Sequence, residues 1–250
     1  MITERAPETW QDLQNHVANI LRECGLTVEV EKTVATVRGE VEIDVYAEEM
    51  IKGRKHTILC ECKHWKSRVP QSVIHGFRTV VADIGANIGY LISMNGFQAG
   101  SFSAAELTNI ELVTWEQFQD QFELTWYDEY FSPQIAEQLD PILTYTEPLA
   151  PKWFIDLPEN EKKNYVDLKK KYDHFGWMIM SFTPYARMLG RSEPRPTLPI
   201  IDRVSEKEKA LNTIPREILE AKGYREFFDL CLNHGIPAIQ QFRDIRDRNK

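Results

Sequence analysis

Helical and strand-like hydrophobic patterns follow one another in the first third of the chain. Apolar residues at three- and four-residue steps predict a helix over residues 7–24, with a glycine as its stop signal. Residues 26–50 are rich in β-branched side chains at alternating positions and are interrupted by an Arg-Gly pair, which predicts two strands. The segment TILCECKHWK (57–66) also alternates, so we expect a third strand after a turn at Lys52-Gly53.

The next stretch predicts helices that alternate with strands. A helix begins at Pro70, and its apolar positions keep helical spacing. Apolar runs at 88–94 and 110–115 predict two buried strands, separated by a short helix over 101–107 and followed by a helix from Trp115. The predicted order, α-β-β-β-α-β-α-β-α, is typical of an α/β fold, here a mixed sheet flanked by helices.

The pattern changes after about residue 118. Eleven of the 13 prolines lie beyond residue 132, and strand alternation is no longer visible. We therefore predict two domains. An α/β domain spans residues 1–118, and a mostly helical region spans 119–250 with a role in targeting or assembly.

Within the C-terminal region, helices and one loop can be predicted. A stripe of large apolar side chains over 165–175 predicts the first helix. Two more helices are expected to end at Gly223 and Gly235, and a last one to begin at Pro237. The segment GRSEPRPTLPIIDR (190–203) predicts a loop.

The turn at Lys52-Gly53 fixes a register for the second and third strands. Paired residue numbers then sum to 105, which places Asp44 opposite Glu61 and Val45 opposite Cys60. Strict alternation gives the two strands one apolar and one polar face. The apolar face carries Val41, Ile43, Val45, Ile58, Cys60 and Cys62. The polar face carries Glu42, Asp44, Tyr46, Leu59, Glu61 and Lys63.

The polar face predicts a phosphodiester hydrolysis site. Asp44 and Glu61 on adjacent strands repel each other unless a cation lies between them, and a hard divalent cation such as Mg²⁺ binds such a carboxylate pair. Lys63 lies one side-chain step beyond Glu61 on the same face. It can orient an attacking water or stabilise the charge that develops on a phosphate.

Charge and composition narrow the function classes. The formal net charge of −8 argues against indiscriminate coating of nucleic acid, but residues 52–68 carry a local net charge of +5, which suits a phosphate contact or simply a solvated rim. The four cysteines lack zinc-ligand spacing and suit a reduced core. With no apolar membrane span and no signal core in MITERAPETW, we expect a cytoplasmic protein.

Several segments are similar to a known nuclease family. The core pattern EID…ECK resembles the PD-(D/E)xK nuclease superfamily, and the chain most resembles Mrr-like type IV restriction endonucleases. The similar segments are LQNHVANILRECGLTVEV, GEVEIDVYA, ILCECKHW and ISMNGFQAGSFSAAELTNIELVTWEQF, within residues 10 to about 118.

The resemblance implies Mg²⁺-dependent DNA cleavage, with Mn²⁺ as a substitute, often in defence against modified or foreign DNA. It implies a metal held by Asp44, Glu61 and the main-chain carbonyl of Cys62, with Lys63 catalytic. Relatives often carry Glu where the first helix here has Gln14, and Gly near Glu42. These two residues are possible accessory groups, and whether they permit a second metal stays open.

The sequence leaves three functions open. The chain is either a metal-dependent endonuclease of restriction or antiphage type, a catalytically silent nuclease fold that binds DNA or a partner, or a repair or junction nuclease. Double-strand cleavage needs two active sites, so a homodimer is plausible. The chain lacks the GxxxxGK[ST] pattern, and we expect no bound NTP.

Overall fold

The computed structural model describes residues 1–188, 195–203 and 213–248, and its chain forms two compact units. The first unit comprises Met1 and Arg5–Glu129, and the second comprises Ile2–Glu4 and the described residues from Tyr130 onward. The predicted loop over 190–203 lies partly outside the described residues. None of the described helices is long and apolar enough to cross a membrane.

All residues of the first unit are described, and its elements follow the predicted order. They are α1 (Trp10–Glu23), β1 (Thr27–Thr36), β2 (Gly39–Ile51), β3 (Arg54–Lys63), α2 (Gln71–Ile84), β4 (Ile88–Ser93), α3 (Ala99–Ala105), β5 (Ile110–Thr114) and α4 (Trp115–Trp126). The predicted α/β fold class is confirmed. The predicted domain limit at residue 118 falls inside α4.

The five strands form one mixed sheet in the order β1-β2-β3-β4-β5. The first two pairs of neighbours are antiparallel hairpins, whereas β3, β4 and β5 run parallel and are connected through α2 and α3. Because β3 and β4 are parallel, their carboxyl ends meet at the same edge of the sheet. Lys63 at the end of β3 is paired with Ser93 at the end of β4.

The β2–β3 hairpin confirms the predicted register as far as Val45–Cys60, but the predicted Asp44–Glu61 pair is not formed. Lys52 and Gly53 have φ angles of 49° and 78°, and two positive φ values at the central positions define the hairpin turn that matches strand twist. The pairs run from Ile51–Arg54 to Val45–Cys60, and every pair sums to 105.

Two layers of apolar side chains enclose the sheet. One cluster is built from the sheet together with α2 and α3, and it includes Tyr46, Leu59, Leu91, Ile74 and Phe77. Val45, Cys60 and Cys62 are fully buried but do not belong to that cluster. The cysteines are free thiols and core residues, as predicted.

The second unit is helical in its described residues. Its helices are α5 (Ser132–Thr146), α6 (Glu159–Phe182), α7 (Pro184–Met188), α8 (Arg216–Glu220) and α9 (Tyr224–Asp247), with 3-10 turns at Lys152–Asp156 and Ile200–Arg203 and a π-helical turn at Tyr127–Phe131 before α5. The predicted aromatic stripe of α6 is buried at Tyr165, Tyr172 and Phe175.

One C-terminal prediction is wrong, because α9 continues through Gly235 and Pro237. A Cβ at position 235 would lie 2.7 Å from Leu139 Cδ2, so Gly235 serves close helix packing instead of a helix stop. Cys231 and Ile239 are buried on either side of the proline. Their burial outweighs the roughly 3 kcal/mol that an interior proline costs a helix.

Candidate active site

The candidate site lies where β2 and β3 separate. Their regular pairs stop at Val45–Cys60, one position before Asp44 and Glu61. On the other side of β2, the pairs with β1 also skip Asp44, because its opposite residue, Glu31, has a φ of 53°. Asp44 is therefore the position at which both neighbouring ladders are interrupted.

This interruption corrects the predicted faces of β2. Ile43 packs in the same core cluster as Tyr46 and Leu59, whereas strict alternation would have placed it beside Val45 and Cys60. Residues three apart share a face only if the alternation breaks between them. The break falls at Asp44, which is not regularly paired with either neighbouring strand.

The Asp44 carboxylate is directed toward β3. Its Oδ2 accepts a hydrogen bond from the main-chain N–H of Cys62 at 2.7 Å. The N–H and C=O groups of one strand residue point to the same side of the strand. The carbonyl of Cys62 therefore faces the same gap as the Asp44 carboxylate, and the family resemblance implied both as metal ligands.

Glu61 and Lys63 form an ion pair beside this gap. The Lys63 ammonium donates to Glu61 Oε1, and the side chains of Lys63 and Glu61 are 16% and 23% exposed, respectively. Burial, and then the charge of Asp44, raise the pKa of Glu61 above its usual value, while Lys63 partly opposes that rise. The site thus holds two carboxylates that a single lysine does not fully compensate.

The neighbouring thiols of Cys60 and Cys62 are fully buried. Burial raises the pKa of Cys60 and Cys62, and the charge of Asp44 raises both further. Both thiols are therefore protonated at neutral pH, and neither supplies a thiolate to a metal. Only the main chain of Cys62 faces the site.

Gln14 brings a buried amide to the sheet from α1. The helix begins at Trp10 because Thr9 caps it, its Oγ1 accepting from the Asp12 N–H at 3.1 Å. His64 Nε2 lies 3.0 Å from the carbonyl of Pro7, which holds the start of α1 against the end of β3. Gln14 is 1% exposed, and its Nε2 has no hydrogen-bond partner.

The remaining predicted residue, Glu42, lies two positions before Asp44 on β2. Glu42 is exposed and is paired with Thr33 of β1. Lys63 forms its ion pair with Glu61, two residues along its own strand.

Sequence reasoning missed the contribution of the β4 end. Ser93 is fully buried beside Lys63, and its Oγ donates to the Gly96 carbonyl at 3.1 Å. The Asn95 side chain donates to the carbonyl of Trp65, so this turn fixes the segment that follows Lys63. The signal that could have found them is the rule that polar groups collect at the carboxyl ends of parallel strands.

The residues present fit a divalent cation. The donor set, two carboxylates and a carbonyl, is the oxygen chemistry that Mg²⁺ prefers. Within the described residues, no group of three or more His, Cys, Asp or Glu side chains could hold a metal. The fit therefore depends on the Cys62 carbonyl as well as on the two acids.

Comparison with known proteins identifies the N-terminal part of the chain. Residues 6–122 match the Mrr catalytic-domain family, described as restriction endonuclease. No curated protein matches the chain at a significant level. Among solved structures, the chain is similar to the crystal structure of AF1548, a protein of unknown function, with 14% identity and a TM-score of 0.39 over 93% of this chain and 99% of that one. The match covers 117 of the 250 residues, and the N-terminal part of the chain is consistent with an Mrr-like nuclease domain.

Proposed function

We propose that the chain is a metal-dependent DNA endonuclease that hydrolyses phosphodiester bonds in cytoplasmic restriction or antiphage defence. The observation that supports this most is the position of the Asp44 carboxylate, hydrogen-bonded to the Cys62 N–H beside the Glu61–Lys63 pair. A nuclease domain implies DNA as the partner, and nucleases of the PD-(D/E)xK type usually use divalent metals.

In the proposed mechanism, Asp44, Glu61 and the Cys62 carbonyl would hold Mg²⁺, or Mn²⁺ in its place. Such an ion would supply an activated water and positive charge at the phosphate. Lys63 donates hydrogen bonds to the phosphate oxygens as negative charge develops on them. To do so, its ammonium must turn from Glu61 toward the substrate, and a cation held by Glu61 would then take over the neutralising role of Lys63.

The segment after β3 is suited to the DNA backbone. Trp65, Lys66 and Arg68 are exposed directly after Lys63. Lys63 Nζ lies 5.6 Å from the centroid of the Trp65 ring, so the indole marks the edge of the site. Lysine and arginine bind phosphates through charge, and an exposed indole can stack on a base. Cleavage of both strands would need a homodimer.

A catalytically silent nuclease fold is the second candidate. The observation in its favour is that the Lys63 ammonium already pairs with Glu61, while α1 presents a neutral amide at Gln14 instead of a further acid. In that case the domain would bind DNA or a partner through the same surface without cutting.

Nicking of supercoiled plasmid separates the two candidates. We expect the full chain to nick DNA with Mg²⁺ or Mn²⁺ and not with EDTA, and Asp44→Asn to abolish both nicking and calorimetric metal binding. Asn is close in shape to Asp, so the thermal melting temperature of the variant should stay close to that of wild type. Wild-type protein that binds no divalent cation and nicks no DNA would favour the silent candidate.

A further inference from the structure

A cleft in the helical unit has the chemistry of a cation site. It has a volume of about 370 Å³ and lies among α5, α6 and α7. This volume is in the range of small-ligand pockets. The acidic, aromatic and large aliphatic residues that line it are Asp140, Leu143, Glu147, Trp177, Met180 and Tyr185.

The charge of the cleft is negative. Two carboxylates, those of Asp140 and Glu147, line it, and none of its described lining residues is Lys, Arg or His. A phosphodiester would be repelled here, so the cleft is not an extension of a DNA-binding surface. The occupant should carry positive charge.

Two helix ends add to this negative potential. Helix α5 ends at Thr146, which lines the cleft, and α6 ends at Phe182, two residues after Met180, which also lines it. Neither helix has a basic residue in its last turn. The carboxyl end of a helix carries a partial negative charge, which attracts a cation.

The walls of the cleft select an organic cation over a metal ion. Trp177 and Tyr185 are 51% and 44% exposed, although large aromatic side chains are usually covered. Aromatic faces bind ammonium and guanidinium groups. Leu143 and Met180 provide apolar contact for a hydrocarbon stem. A hydrated Mg²⁺ gains nothing from such walls.

We propose that this cleft binds an organic cation, a guanidinium or ammonium group carried on an apolar stem. The group meets Asp140 and Glu147, and the stem lies along the aromatic and aliphatic wall. A free amine and an arginine or lysine side chain of a partner protein share this chemistry. None of the lining residues belongs to the candidate active site.

Calorimetric titration of the full chain tests the proposal. The probes are n-butylguanidine, which has a guanidinium on a butyl stem, a short acetylated Gly-Arg-Gly amide, and n-butylurea as the uncharged analogue of the first. We expect at least one cationic probe to bind about tenfold more tightly than butylurea, the size of a cation–π and carboxylate contribution. Tighter binding of the peptide points to a protein side chain, and tighter binding of butylguanidine to a free small-molecule cation.

Substitutions of the lining residues test whether the probes bind in this cleft. The double change Asp140→Asn with Glu147→Gln, and separately Trp177→Ala, should each weaken the cationic probe about tenfold. Asp229→Asn, which removes an exposed carboxylate of α9 outside the cleft, should leave binding unchanged. Melting temperatures confirm folding of each variant. Equal binding of butylguanidine and butylurea, no binding of either cationic probe at millimolar concentration, or unchanged binding by both cleft variants would overturn the proposal.

Discussion

At the scale of single residues, the candidate site depends on Glu61, whose surroundings disfavour its negative charge. Its carboxylate is largely buried near Asp44, and burial together with that charge disfavours its ionised form. Lys63 relieves the conflict only in part. A carboxylate held in this way gains most when a divalent cation arrives, which is why we regard it as a ligand and not as a structural ion-pair partner.

Glu61→Gln should stabilise the metal-free protein at neutral pH. Because the folded-state pKa of Glu61 is raised above 4.5, the contribution of this group to folding stability is fully present below that pH and is lost as pH rises toward the folded pKa. The glutamine of the variant would not titrate, so the variant's melting temperature should exceed that of wild type at pH 7 by more than at pH 4. Thermal melts in EDTA check this.

The matched control for that experiment is Glu40→Gln, which removes an exposed carboxylate from the same strand as Asp44. It should show no such dependence on pH. A Glu61→Gln protein that melts below wild type at pH 7 would mean that the ion pair with Lys63 outweighs burial.

Gln14→Ala should lower metal-dependent cleavage less than Asp44→Asn does. An amide can hydrogen-bond a metal-bound water but adds no charge to the ligand set. Since Gln14 is buried, Gln14→Leu serves as a second variant that keeps the volume. Rates of plasmid nicking rank the variants, and a Gln14→Ala enzyme as inactive as Asp44→Asn would contradict the ranking.

At the scale of elements, the sequence predicts the observed structure wherever the side-chain pattern and the turn residues agree. The order of the nine elements of the first unit and the β2–β3 register follow from alternation and from Lys52-Gly53. The faces of β2 could not be predicted, because the positive φ at Glu31 breaks the ladder at Asp44 without a glycine to signal it. In α9, tertiary packing of Gly235 overrides its local preference for a helix end.

Gly89 in β4 should be intolerant of a side chain. A Cβ there would lie 2.7 Å from Val81 Cγ2 and 2.9 Å from both Ile110 Cδ1 and Phe77 Cε1. We expect Gly89→Ala to destabilise the protein by about 1–3 kcal/mol through overpacking between the sheet and α2. Urea unfolding measures this change.

Gly76→Ala on α2 is the control for overpacking. A Cβ at this position meets nothing within 4 Å, and alanine favours a helix interior, so stability should rise by about 0.5–1 kcal/mol. If Gly89→Ala were as stable as wild type, β4 and α2 would be less closely packed than described.

At the scale of the whole molecule, the chain combines a nuclease-family unit with a helical unit. We propose that chemistry belongs to the first and that the second serves targeting or assembly, as the sequence suggested for residues 119–250. The cationic ligand site proposed for the second unit is consistent with such a division. Its aromatic and acidic lining differs from the polar gap at Asp44.

A fragment ending at residue 129 should be more stable than one ending at 118. The shorter fragment loses the Phe122 ring, which lies 4.8 Å from Phe118 and 5.7 Å from Tyr90. It also loses Trp126, whose Nε1 donates to Glu23 at 2.6 Å. We expect a higher melting temperature for 1–129, and metal-dependent nicking if the chemistry resides in this unit. Equal melting temperatures would show that α4 contributes little after residue 118.

The rate of Mg²⁺-dependent plasmid nicking by Lys63→Ala, relative to wild type, tests the central claim most directly. An ammonium is not a metal ligand, so the variant should still bind Mg²⁺ while losing the interaction with the developing phosphate charge. We predict a rate about 100- to 1000-fold below wild type, as for loss of one transition-state donor. Lys170→Ala, an exposed lysine of α6, should nick at the wild-type rate. A Lys63→Ala protein that nicks as fast as wild type would contradict the account.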